Sequence, residues 1–412
     1  MRLTAIEEGH LRNGMPGTVG IAAMFPGGPL DLTQVRSRVR ERWGALERMS
    51  LAIRPPVGPA GLAGHRWQSA GAFDPAAHIS ATDQDLDTLL ADGVRHPLPP
   101  ELPPWRLLVT PLAVVLLAHH ALLDGRSLET LFRLLMDDTA VPPALPGRAP
   151  AHPSAAAQKR PRARPRGIGG ELRRIRARGQ RLPGVLGGDA RPSVAVVELD
   201  PQVMRAARRR PADGRGATLN ELLLSTYAGA LRACYGPLSS WPAGSAPLYA
   251  TVPVDLRTRD NAQQLGNGVT ALRMPLPVDT ECPVARLQEC QDLVARFQQR
   301  SDAHRAILPT LQRIARTVPW LAGVMARSLA RPEITTSLCT AFKWRDNPSH
   351  LLGRPLSRVV PLPQLSPPGT ANLCLVHTGD AYTLTVVSHL LAGDAGMLAE
   401  AVAQELKAVA VS

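Results

Sequence analysis

In the stretch PLAVVLLAHHALLDGRSLETLFRLL, Pro111 to Leu135, two adjacent histidines close an apolar run and an Asp-Gly pair follows four residues after the second. An imidazole titrates near pH ~6.5, so a histidine delivered into a cleft can take and return a proton at neutral pH. Side chains alternate along a strand, so His119 and His120 point to opposite faces. That separation argues against a two-histidine metal pair and leaves one imidazole for a site and the other for packing. A His-x-x-x-Asp spacing shares a face only within a helix; here a turn intervenes, and Asp124 is expected to fold back beside the strand end. Gly125 permits the positive φ that such a turn can require, and it bares backbone N–H groups near the imidazole. A lone histidine at a strand end is ordinarily structural. HH-x-x-x-DG between a buried strand and an amphipathic helix is much more specific.

The elements that must hold these residues follow from periodicity. TVGIAAMF reads as a strand and DLTQVRSRVRERWGALER as an amphipathic helix with Asp31 or Thr33 as N-cap. QDLDTLLADGVRH is a second helix, WRLLVT and AVVLLAHH are neighbouring strands, and the helix after Gly125 has Ser127 available as a cap. From about Pro142 to Gly188 the chain is rich in Pro, Ala, Gly and Arg, the composition of a crossover or linker. VAVVELD opens the second half. ATLNELLLSTYAGALRACYG then carries a capping box from Thr218 to Glu221 and a stop at Gly236. PLYATVPVDLR and GVTALRMPLP are strands, residues 283–330 are mostly helical, and NLCLVHTGDAYTLTVVSH is a hairpin across Gly379-Asp380 before a last helix from Asp394. The division expected is 1–141, a linker over 142–190, and 191–412.

Composition narrows the classes. The chain has 412 residues, 44% of them apolar, which suits two globular domains, while 4% aromatics gives little for base stacking or a sugar platform. The formal charge of +13 is concentrated: Lys159 to Arg181 holds ten Lys or Arg against one Glu. A solvated tether explains that segment better than a nucleic-acid site, because it lacks interleaved aromatics and a binding fold. Contact with phosphates or an acidic protein is the other use it could have. Five scattered cysteines without a C-x-x-C support neither a disulfide framework nor zinc, and the first residues lack a signal pattern. With no apolar run long enough to span a bilayer, a soluble cytoplasmic protein is expected. His389 ends a strand without a partnering motif, His377 lies mid-hairpin, and Gly266-Asn267-Gly268 reads as a bend between strands, since no helix follows to cradle a phosphate.

At this point the chain resembles a family. AHHALLDGRSLETLFRLL is similar to the active-site segment of the chloramphenicol-acetyltransferase-like superfamily, which includes nonribosomal-peptide condensation domains, with the nearest likeness to the bacterial wax ester synthase/diacylglycerol acyltransferase group. RHPLPPELPPWRLLV resembles that group's Pro-Leu-Trp segment, here Pro103-Pro104-Trp105, and TLNELLLSTYAGALRACYG its Asn-Asp helix, here Asn220-Glu221. PLYATVPVDLRTRDNAQQLGNGVTALRMPLP is similar to its V-P-V-x-L-R…G-N strand pair, and LGRPLSRVVPLPQLSPPGTANLCLVHTGDAYTLTVVS to its closing strands. A Ser-Asn-Val-Pro-Gly-Pro segment is missing, with ITTSLCTAFKW near its place, so the substrate walls differ from those of the group.

The resemblance implies an α/β fold of two chloramphenicol-acetyltransferase-like domains with mixed sheets and flanking helices, meeting along an active-site tunnel. Carried over, His120 is the catalytic base, Asp124 shapes its loop through an ion pair with Arg257, and the Gly125 N–H is a candidate oxyanion donor. His119 and Asn220 are supporting, and Trp105 and Asn267 would meet substrate. No metal or other cofactor is implied beyond an acyl thioester co-substrate, acyl-CoA or an acyl or peptidyl carrier protein, with a small-molecule acceptor as partner. The expected reaction is acyl transfer to a hydroxyl in specialised metabolism. Amide formation by a stand-alone condensation enzyme, a non-catalytic tunnel-bearing scaffold, and nucleic-acid binding through the Arg-rich segment stay open.

Overall fold

The computed structural model describes residues 1–57, 63–99, 102–139, 177–183, 190–210, 214–244, 246–257, 261–296, 319–344, 350–391 and 393–412. Most of the expected linker, 142–190, and the middle of the expected helical stretch 283–330 lie outside these residues.

The first half runs α1 (Ala5–Arg12), β1 (Thr18–Met24), α2 (Leu32–Trp43), β2 (Leu51–Arg54), β3 (Arg66–Ser69), β4 (Ile79–Ala81), α3 (Leu86–Arg95), β5 (Trp105–Val109), β6 (Ala113–His119) and α4 (Gly125–Leu135). The second runs β7 (Arg191–Leu199), α5 (Pro201–Arg208), α6 (Leu219–Tyr235), β8 (Tyr249–Asp255), β9 (Val269–Pro275), α7 (283–296), α8 (Pro319–Leu329), β10 (Ser337–Lys343), β11 (His350–Leu351), β12 (Arg354–Pro355), β13 (Arg358–Leu362), β14 (Thr370–Thr378), β15 (Ala381–Leu390) and α9 (Asp394–Val411). Two mixed sheets organise them, in the orders β13-β1-β6-β5-β4 and β7-β15-β14-β10-β8-β9.

β6 is buried along its whole length because apolar layers cover both of its faces. Val114, Leu116 and Ala118 belong to the core with α2 and α4, whereas Val115 and Leu117 join a smaller cluster with Leu89, Leu90 and Val94 of α3. A strand covered on two sides reads as a continuous apolar run, which is why it ends abruptly where the histidines begin. α4 buries Leu128, Leu131, Phe132 and Leu135 against the same core, at about 1.5–3 kcal/mol for each side chain removed from water. In the second sheet α6 and α9 cover one face, and Leu223, Tyr227, Leu231, Leu398 and Val402 fill the layer between.

The sheets do not divide at the Pro/Arg-rich segment. β13 comes from the second half yet pairs antiparallel with β1, Gly20 opposite Leu362, and completes the edge of the first sheet. The residues after β13 then return to the second sheet as β14. The chain therefore passes between the two bodies again near the site.

Several local expectations meet their atoms. Asp31 caps α2 by accepting from Gln34 N, Thr218 and Glu221 form the capping box of α6, and the β14–β15 hairpin turns at Gly379 with Thr378 opposite Ala381. Ser127 is not the cap of α4. That helix begins at Gly125, so Asp124 takes the N-cap position and its carboxylate accepts from Ser127 N at 2.8 Å. No helix among the described residues is long and apolar enough to cross a membrane.

Candidate active site

A cavity of about 890 Å³ lies between the sheets, and His10, His120 and Gly125 reach it from the first body while β8, β9 and β10 form the opposite wall. Three segments distant in sequence meet at His120: the β6–α4 turn, the bend 266–268, and α1.

β6 ends at His119, so His120 leaves the strand on the turn, its N–H donating to Gly17 O at 2.7 Å. Its half-buried ring is oriented by Asn267. The Asn267 Nδ2 donates to the carbonyl oxygens of His120 at 2.6 Å and Ala121 at 3.1 Å, and this fixes which end of the amide is oxygen. Asn267 Oδ1 then lies 3.2 Å from His120 Nδ1 and can only accept, so Nδ1 carries the proton and the Nε2 lone pair is free. Burial lowers the His120 pKa below the usual histidine value, opposed by a backbone hydrogen bond, the Asp124 charge and Asn267. The neutral ring is thus the resting form at neutral pH.

Asp124 is fully buried, and its carboxylate is held by hydrogen bonds to the surrounding scaffold. Beyond the α4 cap, its Oδ2 lies 2.8 Å from Arg257 Nη1 and accepts from Gly268 N at 2.8 Å, while Oδ1 accepts from Arg257 Nη2 at 3.1 Å. Arg257 also donates to Ser127 Oγ, Gly266 O and Gln264 O. Burial opposes its charge, but Asp124 and Asp255 outweigh that and raise its pKa further. A Cβ at Gly268 would sit 2.7 Å from Arg257 Nη1, so the Gly-Asn-Gly bend can wrap the guanidinium only with glycine there. One ion pair therefore ties the head of α4 to the bend that holds Asn267.

The turn does not use the positive φ that Gly125 would permit. Gly125 is the first residue of α4, and what its missing side chain provides is room: an added Cβ meets nothing within 4 Å. First-turn positions leave backbone N–H groups without intrahelical acceptors, and Gly125 presents its backbone beside His120 at the cavity.

His119 is buried with Nδ1 accepting from Ala121 N at 3.0 Å, and its ring fills the space at Gly17, where a Cβ would lie 2.5 Å from Nε2. Burial, helped by His120 and His65, pushes its pKa down to about 4. Asn220 ties α6 to β10 by accepting from Ala341 N at 2.8 Å. Trp105 and Asn267 are not among the residues that line the cavity, and the structure gives both other partners. Trp105 is fully buried, donates to Met49 O at 2.9 Å and stacks on His78 with ring centroids 4.2 Å apart, because β5 turns that face into the core. Asn267 spends its amide on His120. His377 stacks on Tyr382, and His389 Nδ1 meets Ser366 O at 3.0 Å; neither is among the residues that line the cavity. Among the described residues no group of three or more His, Cys, Asp or Glu could hold a metal ion.

Sequence reasoning passes over His10. Its ring lies flat on that of His120, centroids 4.0 Å apart and planes 11° apart, with Nδ1 3.0 Å from Gln364 Oε1. The available signal was the Thr4-x-x-Glu7 capping box, which marks a helix at the N-terminus but not what that helix touches.

Residues 20–223 match the family model of the wax ester synthase/diacylglycerol acyltransferase catalytic domain. No curated protein matches the chain by sequence. Among solved structures, the wax ester synthase/diacylglycerol acyltransferase from Marinobacter aquaeolei VT8 superposes with a TM-score of 0.64 at 16% identity, over 100% of this chain and 99% of that one. The first condensation domain of the calcium-dependent antibiotic synthetase gives 0.68 at 17% identity, over 100% and 97%. The trichothecene 15-O-acetyltransferase from Fusarium sporotrichioides gives 0.68 at 13% identity, over 99% and 94%. The match places residues 20–223 in the wax ester synthase/diacylglycerol acyltransferase catalytic-domain family, and the chain shares its fold along its whole length with these acyltransferase and condensation-domain structures.

Proposed function

We propose that this chain transfers an acyl group from a thioester, acyl-CoA or an acyl or peptidyl carrier protein, to a hydroxyl of a small acceptor, with His120 as general base. The observation that carries this reading is the Asn267 contact, which leaves His120 Nε2 unprotonated at the edge of the cavity. Nε2 takes the proton of the acceptor hydroxyl as its oxygen attacks the thioester carbonyl, giving a tetrahedral oxyanion. The Gly125 N–H at the head of α4 is the candidate donor to that oxyanion, with the helix N-terminus adding favourable partial charge. Collapse breaks the C–S bond, and the imidazolium returns its proton to the leaving thiolate, so ester and thiol leave and His120 is neutral again. The Asp124 oxygens are taken by Ser127 N, Gly268 N and Arg257 and not by His120, so Asp124 serves as scaffold, unlike the acid of a Ser-His-Asp triad.

The cavity is lined mostly by apolar side chains, with Thr251, Thr340, Asp255 and Arg273 as polar points on the wall opposite His120, which suits a largely apolar specialised-metabolite acceptor with a few polar groups. An amine acceptor would use the same base, and the likeness to a condensation domain keeps amide formation as the second reading. Intact-mass detection of product across a panel of acyl-CoAs and acyl carriers with hydroxyl and amine acceptors tests both. His120→Ala is expected to lower turnover by about 10²–10⁴; near-normal turnover in that variant overturns the assignment of the base.

A further inference from the structure

The catalytic imidazole is not alone in the cavity. His10, on α1, covers one face of the His120 ring with planes only 11° apart. Two features hold it there. Its Nδ1 meets Gln364 Oε1 at 3.0 Å, from the segment that follows β13. α1 also packs closely on α8 through Gly9, where an added Cβ would lie 3.4 Å from Ala326 Cβ.

The charges around the stack decide what it can do. From β6 the facing group is His119, held neutral by burial, with its pKa near 4. From the head of α4 it is Asp124, compensated by Arg257. Asn267 and Gln364 offer neutral amides. The carboxylates of α1 are taken elsewhere, Glu7 by Arg48 and Glu8 by Arg12 and His65. Arg126 and Glu129 pair with each other on α4. Two imidazolium ions 4.0 Å apart would repel strongly, so the stack accommodates one proton at a time. Burial, with His120 and His119 nearby, holds the His10 pKa well below the usual value, so the proton belongs to His120.

We propose that His10 is a positioning residue for the acyl transfer, its neutral ring fixing the plane of His120 and stabilising through its π face the imidazolium formed when His120 takes the acceptor's proton. This rests on His120 being the base. A cation over an aromatic face gains most where water is excluded, and the gain exists only after proton transfer, so it acts on turnover and not on substrate binding.

The test compares His10→Phe, which keeps an aromatic face, with His10→Leu, which keeps bulk and apolarity without one; His10→Gln, which keeps a polar contact to Gln364 without a ring, replaces the leucine variant if that melts early. Steady-state kinetics on the full chain should show kcat down about tenfold in His10→Leu with KM little changed, and most of it recovered in His10→Phe. Independently of turnover, the His120 ring resonances followed by NMR should titrate at higher pH in His10→Phe than in His10→Leu. Equal kcat in wild type and His10→Leu, equal loss in both variants, or identical His120 titrations would overturn the role of the π face. The His120→Ala control separates the two ideas. If it is inactive while His10→Leu is unimpaired, His10 alone is misassigned; if it is active, the base itself is.

Discussion

Asn267 Oδ1 accepts from His120 Nδ1 across 3.2 Å while Asn267 Nδ2 is held on the His120 and Ala121 carbonyls, so one residue from the second half chooses the tautomer of a ring at the end of a first-half strand. Removing that choice should cost turnover without costing affinity. Asn267→Ala is expected to lower kcat about a hundredfold, within the range a general base contributes, with KM within a few-fold of wild type. A large KM effect with kcat preserved would return Asn267 to the substrate.

The ion pair between Asp124 and Arg257 is a stability element first. Arg257→Met strands a fully buried carboxylate, and denaturant melts should lose about 3–5 kcal/mol. The double variant Asp124→Asn with Arg257→Met removes both charges and should recover part of that loss. An additive double variant would mean that the two groups are not coupled.

At Gly125 stability and activity should part company. The backbone is ordinary and the space is open, so Gly125→Ala should leave the melting temperature unchanged or raise stability by about 0.5–1 kcal/mol. The new methyl stands at the cavity beside the candidate oxyanion donor, and kcat/KM should fall. Unchanged kcat/KM would move the reacting carbonyl away from the head of α4.

His119 makes the fold sensitive to mild acid. Its folded pKa of about 4 lies below the unfolded value of ~6.5, so between these limits the unfolded chain binds the extra proton. The stability contributed above pH ~6.5 is lost as pH falls, by roughly 3 kcal/mol at pH 4. Melting temperature measured from pH 7 to pH 4 should drop more steeply in wild type than in His119→Gln. The acid limb of the rate profile belongs to His120 and should lie below pH ~6.5, because burial depresses that group too.

Much of this arrangement is legible in the chain because it is local. The α4 helix, the buried strand before it and the assignment of one histidine to packing follow from periodicity over a few residues. The details that failed depend on where a helix starts. Moving that start to Gly125 gives the cap to Asp124, frees Ser127 for Gly266 and removes the need for a positive φ. Trp105 is a related case: its motif lies near the site in sequence, while the register of β5 turns the indole into the core.

By itself the sequence determined which residue types could do chemistry and in what local frame: an imidazole at a strand end, a carboxylate and a glycine at the next helix start. Only the tertiary structure decided the partners. Asn267 lies 147 residues from His120, Gln364 lies 354 from His10, and β13 reaches the first sheet from the far half of the chain. Pattern along a chain reports which face of an element is buried, but contacts across such separations are chosen by the packing of whole sheets, and no local period encodes them.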